Sequence, residues 1–186
     1  MTEIRIYFEG DSALRPGLDA LLGEIKSRAR AKLVLFQLIA CGGTPVSDFL
    51  TALKKHRESW NILLKDSEGP DEGQLKVPPG TDPKSVFWMV QLMEAWFLAD
   101  PEALAEYYDQ DFKAAALRAN PKVEEISKDD VLACLKDATK GTQKGSYHKT
   151  KHAPAILERI SPDKVKKAAP NCQRLFREVL AKLDEG

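Results

Sequence analysis

The chain has 186 residues, 43% of them apolar and 30% charged, with 28 basic side chains balanced by 28 acidic ones. That is enough for one well-packed domain, or for a domain with a helical appendage. Zero net charge excludes binding to nucleic acid or membrane through an overall basic field. No apolar run approaches the ~20 residues of a membrane span. The start, MTEIRIYFEG, lacks the basic residues, long apolar stretch and cleavage site of a signal peptide. The cytoplasm is therefore the expected location, with no membrane contact.

Residues 4–8 are short, apolar and β-prone, and predict a strand. Residues 12–30 carry Leu14, Leu18, Leu21, Leu22 and Ile25 at helical spacing, with Pro16 near the start, where a first turn tolerates it. KLVLFQLIA, residues 32–40, is nearly continuous in apolar residues and predicts a strand buried on both faces. Gly42-Gly43 breaks it, and Thr44-Pro45 has the pattern of an N-cap with proline at the first helical position, opening a helix to about Arg57. WNILLK, residues 60–65, predicts a third strand. Residues 67–84 form a long loop rich in Pro, Gly and acids, and VFWMVQL, residues 86–92, predicts a fourth strand.

From residue 109 onward no strand pattern is convincing. DPEAL at Asp100, SKDD at Ser127 and Ser161-Pro162 are helix-start signals, and residues 171–183 have amphipathic spacing. Right-handed crossovers make the first part a mainly parallel α/β sheet flanked by helices. The expected organisation is an α/β core over residues 1–108 and a helical C-terminal extension over 109–186, packed as one unit. Cys41, Cys134 and Cys172 are scattered, with no C-x-x-C and no zinc-type spacing, so buried free thiols are expected.

The chemistry concentrates at the strand ends. EIRIYFEGDSA and WNILLKDSEGP are apolar runs that stop abruptly in acids, Glu9 and Asp11 in the first, Asp66 and Glu68 in the second. Carboxylates beyond strand ends of a parallel sheet share the edge where open α/β sheets hold ligands. Gathered there they repel unless a cation sits among them, and an all-oxygen donor set suits Mg²⁺ or Mn²⁺ better than Zn²⁺. In extended backbone Asp66 and Glu68, two apart, point to the same side. Asp11 is the better candidate for a helix N-terminus than for a ligand. Glu94, alone in the apolar run MVQLMEAWFLAD, is costly unless paired or bound to a metal, and is a candidate fourth acid. Asp100 reads as a cap, and Trp88, Trp96 and Phe97 read as core.

Charge is uneven along the chain. Residues 1–139 hold 17 basic and 23 acidic residues, and residues 140–186 hold 11 and 5. The stretch KGTQKGSYHKT contains no acid, and Lys144, Lys149 and Lys151 are candidate phosphate contacts, of a point-charge kind without base reading. A solvated surface loop is the competing reading.

IYFEGDSA followed by LLKDSEGP resembles the TOPRIM fold of topoisomerases, primases and overcoming-lysogenization-defect-type nucleases. That resemblance assigns Glu9 to the family's glutamate, Asp66 to its first aspartate and Glu68 to its second, with a longer side chain. FWMVQLMEAWFLADPEAL and YHKTKHAPAILERI look more narrowly like a TOPRIM-like family of uncharacterised bacterial domains, often encoded beside AAA-type ATPases in defence-like operons. The resemblance implies a Mg²⁺- or Mn²⁺-dependent phosphodiesterase, a nuclease acting on DNA or RNA, with Glu9, Asp66 and Glu68 as catalytic metal ligands. Two other readings stay open. One is a non-catalytic partner subunit of an AAA-type ATPase. The other is a receiver-like phospho-acceptor domain with Asp66 as acceptor, against which stands the lack of a fifth strand ending in lysine.

Overall fold

A computed structural model describes residues 1–70 and 75–185. Four strands, β1 (Glu3–Phe8), β2 (Leu35–Ala40), β3 (Trp60–Asp66) and β4 (Val86–Met89), form a wholly parallel sheet in the spatial order β2-β1-β3-β4. Their alternation sorts side chains to two faces. Ile4, Ile6, Phe8, Ile62, Leu64, Phe87 and Met89 join one apolar cluster, and Tyr7, Leu63, Val86 and Trp88 join another.

Helices α1 (Arg15–Leu21) and α2 (Gly23–Ala31) carry the chain from β1 to β2 and bury Leu18, Leu21, Ile25 and Ala29 in the first cluster. Helix α3 (Pro45–Lys55) returns it across β1 to β3 and buries Phe49 and Ala52 in the second. The direction of winding therefore reverses between β1 and β3, which makes their carboxyl ends the switch point of the sheet. Among the described residues of the connection from β3 to β4 there is no α-helix, only a 3₁₀ turn at Pro83–Ser85. Leu75 and Val77 of that connection pack beside Val86, Trp88 and Val90 instead. Residues 71–74, part of the expected 67–84 loop, lie outside the described residues.

After a 3₁₀ turn (Met93–Ala99) come α4 (Pro101–Tyr108), α5 (Lys128–Thr139), α6 (Lys149–Leu157), α7 (Pro162–Ala168) and α8 (Pro170–Asp184). Among the described residues no strand follows residue 109, as expected. The cluster on the first face of the sheet also contains Leu157, Val165, Leu175, Phe176 and Val179. Helix α8 lies against β4, where the Arg174 guanidinium donates to the Val86 carbonyl at 2.6 Å and sits 4.4 Å from the centre of the Phe87 ring. No helix among the described residues is long and apolar enough to cross a membrane.

Several local expectations are corrected. β2 begins at Leu35 and is an edge strand, so it is not buried on both faces; Leu33 and Leu35 are 93% and 55% exposed. β4 ends at Met89, three residues before the sequence pattern does, because Gln91 turns into the left-handed region at φ 64°. The helix expected over 12–30 is three pieces, a 3₁₀ turn at 12–14, then α1, then α2 after a break at Leu22. Thr44 is the N-cap of α3 with Pro45 opening the helix, as expected, but its hydroxyl makes no capping hydrogen bond; it donates to the Cys41 carbonyl at 3.1 Å and lies 3.2 Å from the Asp48 carboxylate. The caps at Asp100, Ser127 and Ser161 are present, as is Asp11 on the 3₁₀ turn. Cys41, Cys134 and Cys172 are buried and free, and Trp88, Trp96 and Phe97 are core. Burial, with Asp48 adding to it, pushes the Cys41 thiol up to about 12, out of the range of a nucleophile at neutral pH.

Candidate metal and phosphate site

Glu9 follows the last residue of β1 and Asp66 is the last of β3, so the two acids stand side by side at the switch point. The Asp66 backbone N–H donates to Glu9 Oε2 at 3.1 Å, which aims the glutamate along the edge of the sheet. Gly10, at φ +123°, then lets the chain turn away. Its N–H and carbonyl pair with those of Gly42, and a Cβ on Gly10 would meet Leu14 at 2.5 Å. The close approach this glycine allows is thus filled by another stretch of backbone.

Ligand oxygens of Glu9, Asp66 and Glu68 lie within 4.8 Å of one another. Glu68 does not get there by the extended i, i+2 geometry that the sequence suggests. It is left-handed, at φ 62°, as is Gln91 on the neighbouring turn. Non-glycine residues in this region cost on the order of 1–3 kcal/mol each and are held by their surroundings. Here the Glu68 N–H donates to the Gln91 carbonyl at 3.0 Å, and the Gln91 N–H donates to Ser67 Oγ at 2.8 Å. The buried Gln91 side chain in turn accepts from the Lys128 N–H at 3.0 Å, fixing the start of α5 beside the two turns. The Lys128 ammonium pairs with the Glu68 carboxylate.

Glu94 is wholly buried. Its Oε1 accepts from the Tyr147 hydroxyl at 2.9 Å, while Oε2 has no hydrogen-bond partner and lies 3.6 Å from the Lys149 ammonium. The same ammonium is 3.5 Å from Asp66 Oδ2. Asp66 Oδ1 accepts from the Met93 N–H at 2.8 Å. Burial pushes the Asp66 carboxyl up to about 7. Lys149 opposes the shift, Glu94 and Glu9 add to it, and the Met93 N–H opposes it again. Burial also works against the charge on Lys149, but Glu94 and Asp66 outweigh it and hold the ammonium above its ordinary range.

A cleft of about 340 Å³ opens on this cluster, lined by the acids Asp66, Glu68 and Glu94 and by the lysines Lys128, Lys136 and Lys149. Glu9 borders a neighbouring hollow, with Thr44 and Lys65. The three lysines of the basic stretch part company. Lys149 begins α6 inside the acid cluster. Lys144 lies over the Tyr107 ring at 5.2 Å, and the Lys151 ammonium donates to the Lys144 carbonyl at 3.3 Å. His152 is buried in the core, its Nδ1 accepting from the His148 N–H. Sequence reasoning did not single out Lys128 or Tyr147. Both are joined to the site across long sequence separations, and the only local signals were a capping pattern and one aromatic residue in a polar stretch.

Residues 46–180, well over half of the chain, match the model of a family described as Domain of unknown function (DUF4276). The match takes in Asp66, Glu68, Glu94, Lys128, Tyr147 and Lys149, and begins after Glu9. No curated protein and no solved structure matches the chain.

Proposed function

The chain belongs to the family described as Domain of unknown function (DUF4276), and from its site we propose a divalent-metal-dependent phosphodiesterase acting on nucleic acid. One observation carries this reading. Glu9, Asp66 and Glu68 bring carboxylate oxygens within 4.8 Å of one another at the switch point of a parallel sheet, where such folds bind ligands. The donors are all oxygen, which suits Mg²⁺ or Mn²⁺, and Glu94 Oε2, which makes no hydrogen bond, lies across the Lys149 ammonium from Asp66. The TOPRIM resemblance assigns metal binding to the same three strand-end acids, and its kinship with nucleases favours this reading over other phosphoryl chemistry.

In this reading Glu9, Asp66 and Glu68 hold the ion, with Glu94 beside them. When bound, Mg²⁺ or Mn²⁺ supplies Lewis-acid polarisation of a phosphoryl oxygen and activation of water. The chain's own residues do the rest. Lys128, Lys136 and Lys149, lining the same cleft, offer positive charge to a phosphodiester backbone. Gln91 and Met93 orient Glu68 and Asp66 by backbone and side-chain hydrogen bonds. Asp66, with its carboxyl at about 7 in the ion-free protein, gives up its proton when the ion binds near neutral pH. Lys144 and Lys151, lying elsewhere, would contribute only through the wider surface.

The test is incubation of the purified protein with single- and double-stranded DNA and RNA, each with Mg²⁺, Mn²⁺ or EDTA, beside Asp66→Asn. Cleavage that needs metal and is lost in the variant is the expected result. No cleavage of any of the four with either metal would overturn the enzymatic reading. A non-catalytic partner of an AAA-type ATPase would then be the better account, and the uncharged edge strand β2, with Leu35 exposed at its start and Leu33 exposed just before it, is the feature that favours it.

A further inference from the structure

We infer that Lys149 is a built-in counter-cation of the metal site, one that gives up its place between Asp66 and Glu94 when a divalent ion enters. This deepens the metal-dependent reading above and rests on it. The sequence placed Lys149 among loop lysines that contact phosphate at a distance from the carboxylates. The structure puts its ammonium 3.5 Å from Asp66 Oδ2 and 3.6 Å from Glu94 Oε2, in a position where a cation bridges the two acids.

Three features make this a place to be vacated. Neither contact is a short hydrogen bond, and Glu94 Oε2, on a residue with no exposure to solvent, has no other partner. Glu94 is held by a separate group, since the Tyr147 hydroxyl occupies Oε1; the carboxylate therefore keeps its orientation when the ammonium leaves. The Lys149 side chain is itself 53% exposed, while those of Asp66 and Glu94 are 5% and 0% exposed. The acids are fixed and the lysine has solvent to move into. It stands at the first residue of α6, on the wall of the cleft, so the flexible stem can carry the ammonium away from the acids without moving the backbone.

The consequence is a site that stays closer to neutral without metal and exposes an ammonium to the cleft only when metal is bound. Positive charge for a phosphate would then appear together with the ion.

The test uses the full chain and needs no substrate. Mn²⁺ binding is measured by calorimetry for the wild type, Lys149→Gln, Lys149→Arg and Asp66→Asn. In a second measurement, lysine acetylation of the wild type is followed by mass spectrometry with and without Mg²⁺, so the outcome does not depend on a variant folding. Lys149→Gln should bind Mn²⁺ about tenfold more tightly, because the competing charge is gone, and Lys149→Arg should stay near wild type. Acetylation of Lys149 should rise with Mg²⁺, while that of Lys136 stays constant. Unchanged or weaker Mn²⁺ binding in a folded Lys149→Gln, or unchanged labelling of Lys149, would overturn the inference and leave the metal site standing. A wild type that takes up no Mn²⁺ would bring down the metal-dependent reading and this inference together.

Discussion

At the scale of single residues, Asp66 sets the terms. It is 3% exposed, receives one backbone hydrogen bond on Oδ1, and shares one ammonium with a wholly buried glutamate. Burial raises its carboxyl from 3.8 to about 7. Below about pH 4 the group is protonated in both folded and unfolded chains and has no effect on the balance. Between about pH 4 and pH 7 the unfolded chain loses the proton while the folded one keeps it, so stability falls as pH rises. Above about pH 7 both are ionised and the cost is constant. Asp66→Asn should therefore be the more stable protein at pH 8 in EDTA, by about 4 kcal/mol as an upper figure. The gain should fade toward pH 4. Urea titrations across that range measure it, and parallel pH curves for the two proteins would refute the assignment. Stability given up at a site in this way is a common mark of function.

At the scale of elements, the position of Lys149 depends on how α6 is seated. Gly17 of α1 faces Leu157 of α6, and a Cβ there would meet the Leu157 side chain at 2.7 Å. Gly17→Ala should push the helices apart and cost about 1–3 kcal/mol, despite alanine's better helix propensity. Leu157→Ala, itself a cavity mutation, should cost less in the Gly17→Ala background than alone. Strict additivity in that double-mutant cycle, read from thermal or urea unfolding, would show that the contact does not fix the crossing. The strand-end acids were legible in the sequence because apolar runs of strand length stopped at them, and parallel strands put their carboxyl ends on one edge. The left-handed turns at Glu68 and Gln91 were not. Nothing local favours that conformation in either residue, and it is imposed by hydrogen bonds between two loops that follow different strands.

At the scale of the whole molecule, the sheet and the C-terminal helices share one apolar cluster. Ile4, Ile6, Phe8, Ile62, Leu64 and Phe87 lie in it with Val165, Leu175, Phe176 and Val179. A fragment of residues 1–108 would expose that face of the sheet to water, at about 25 cal/mol for each Å² of apolar surface left uncovered. It should lack a cooperative unfolding transition and should bind Mn²⁺ poorly, because Lys128, Tyr147 and Lys149 are absent from it. A fragment with a sharp thermal transition near that of the full chain would show that the helices are an accessory.

The sequence by itself determined the main strand and helix pattern, the parallel winding and the placement of Glu9 and Asp66 at one edge. Each of these follows from periodicity, from the handedness of crossovers and from acids that stop apolar runs. The turn that brings Glu68 to those two acids was decided by tertiary hydrogen bonds. Tertiary structure alone decided that Glu94 is wholly buried, that Tyr147 holds it, and that Lys149 lies between it and Asp66 while Lys144 and Lys151 do not. Those contacts join residues more than fifty apart in the chain. They depend on how α6 docks against the sheet, and packing of distant apolar surfaces leaves no local signature in the sequence it brings together.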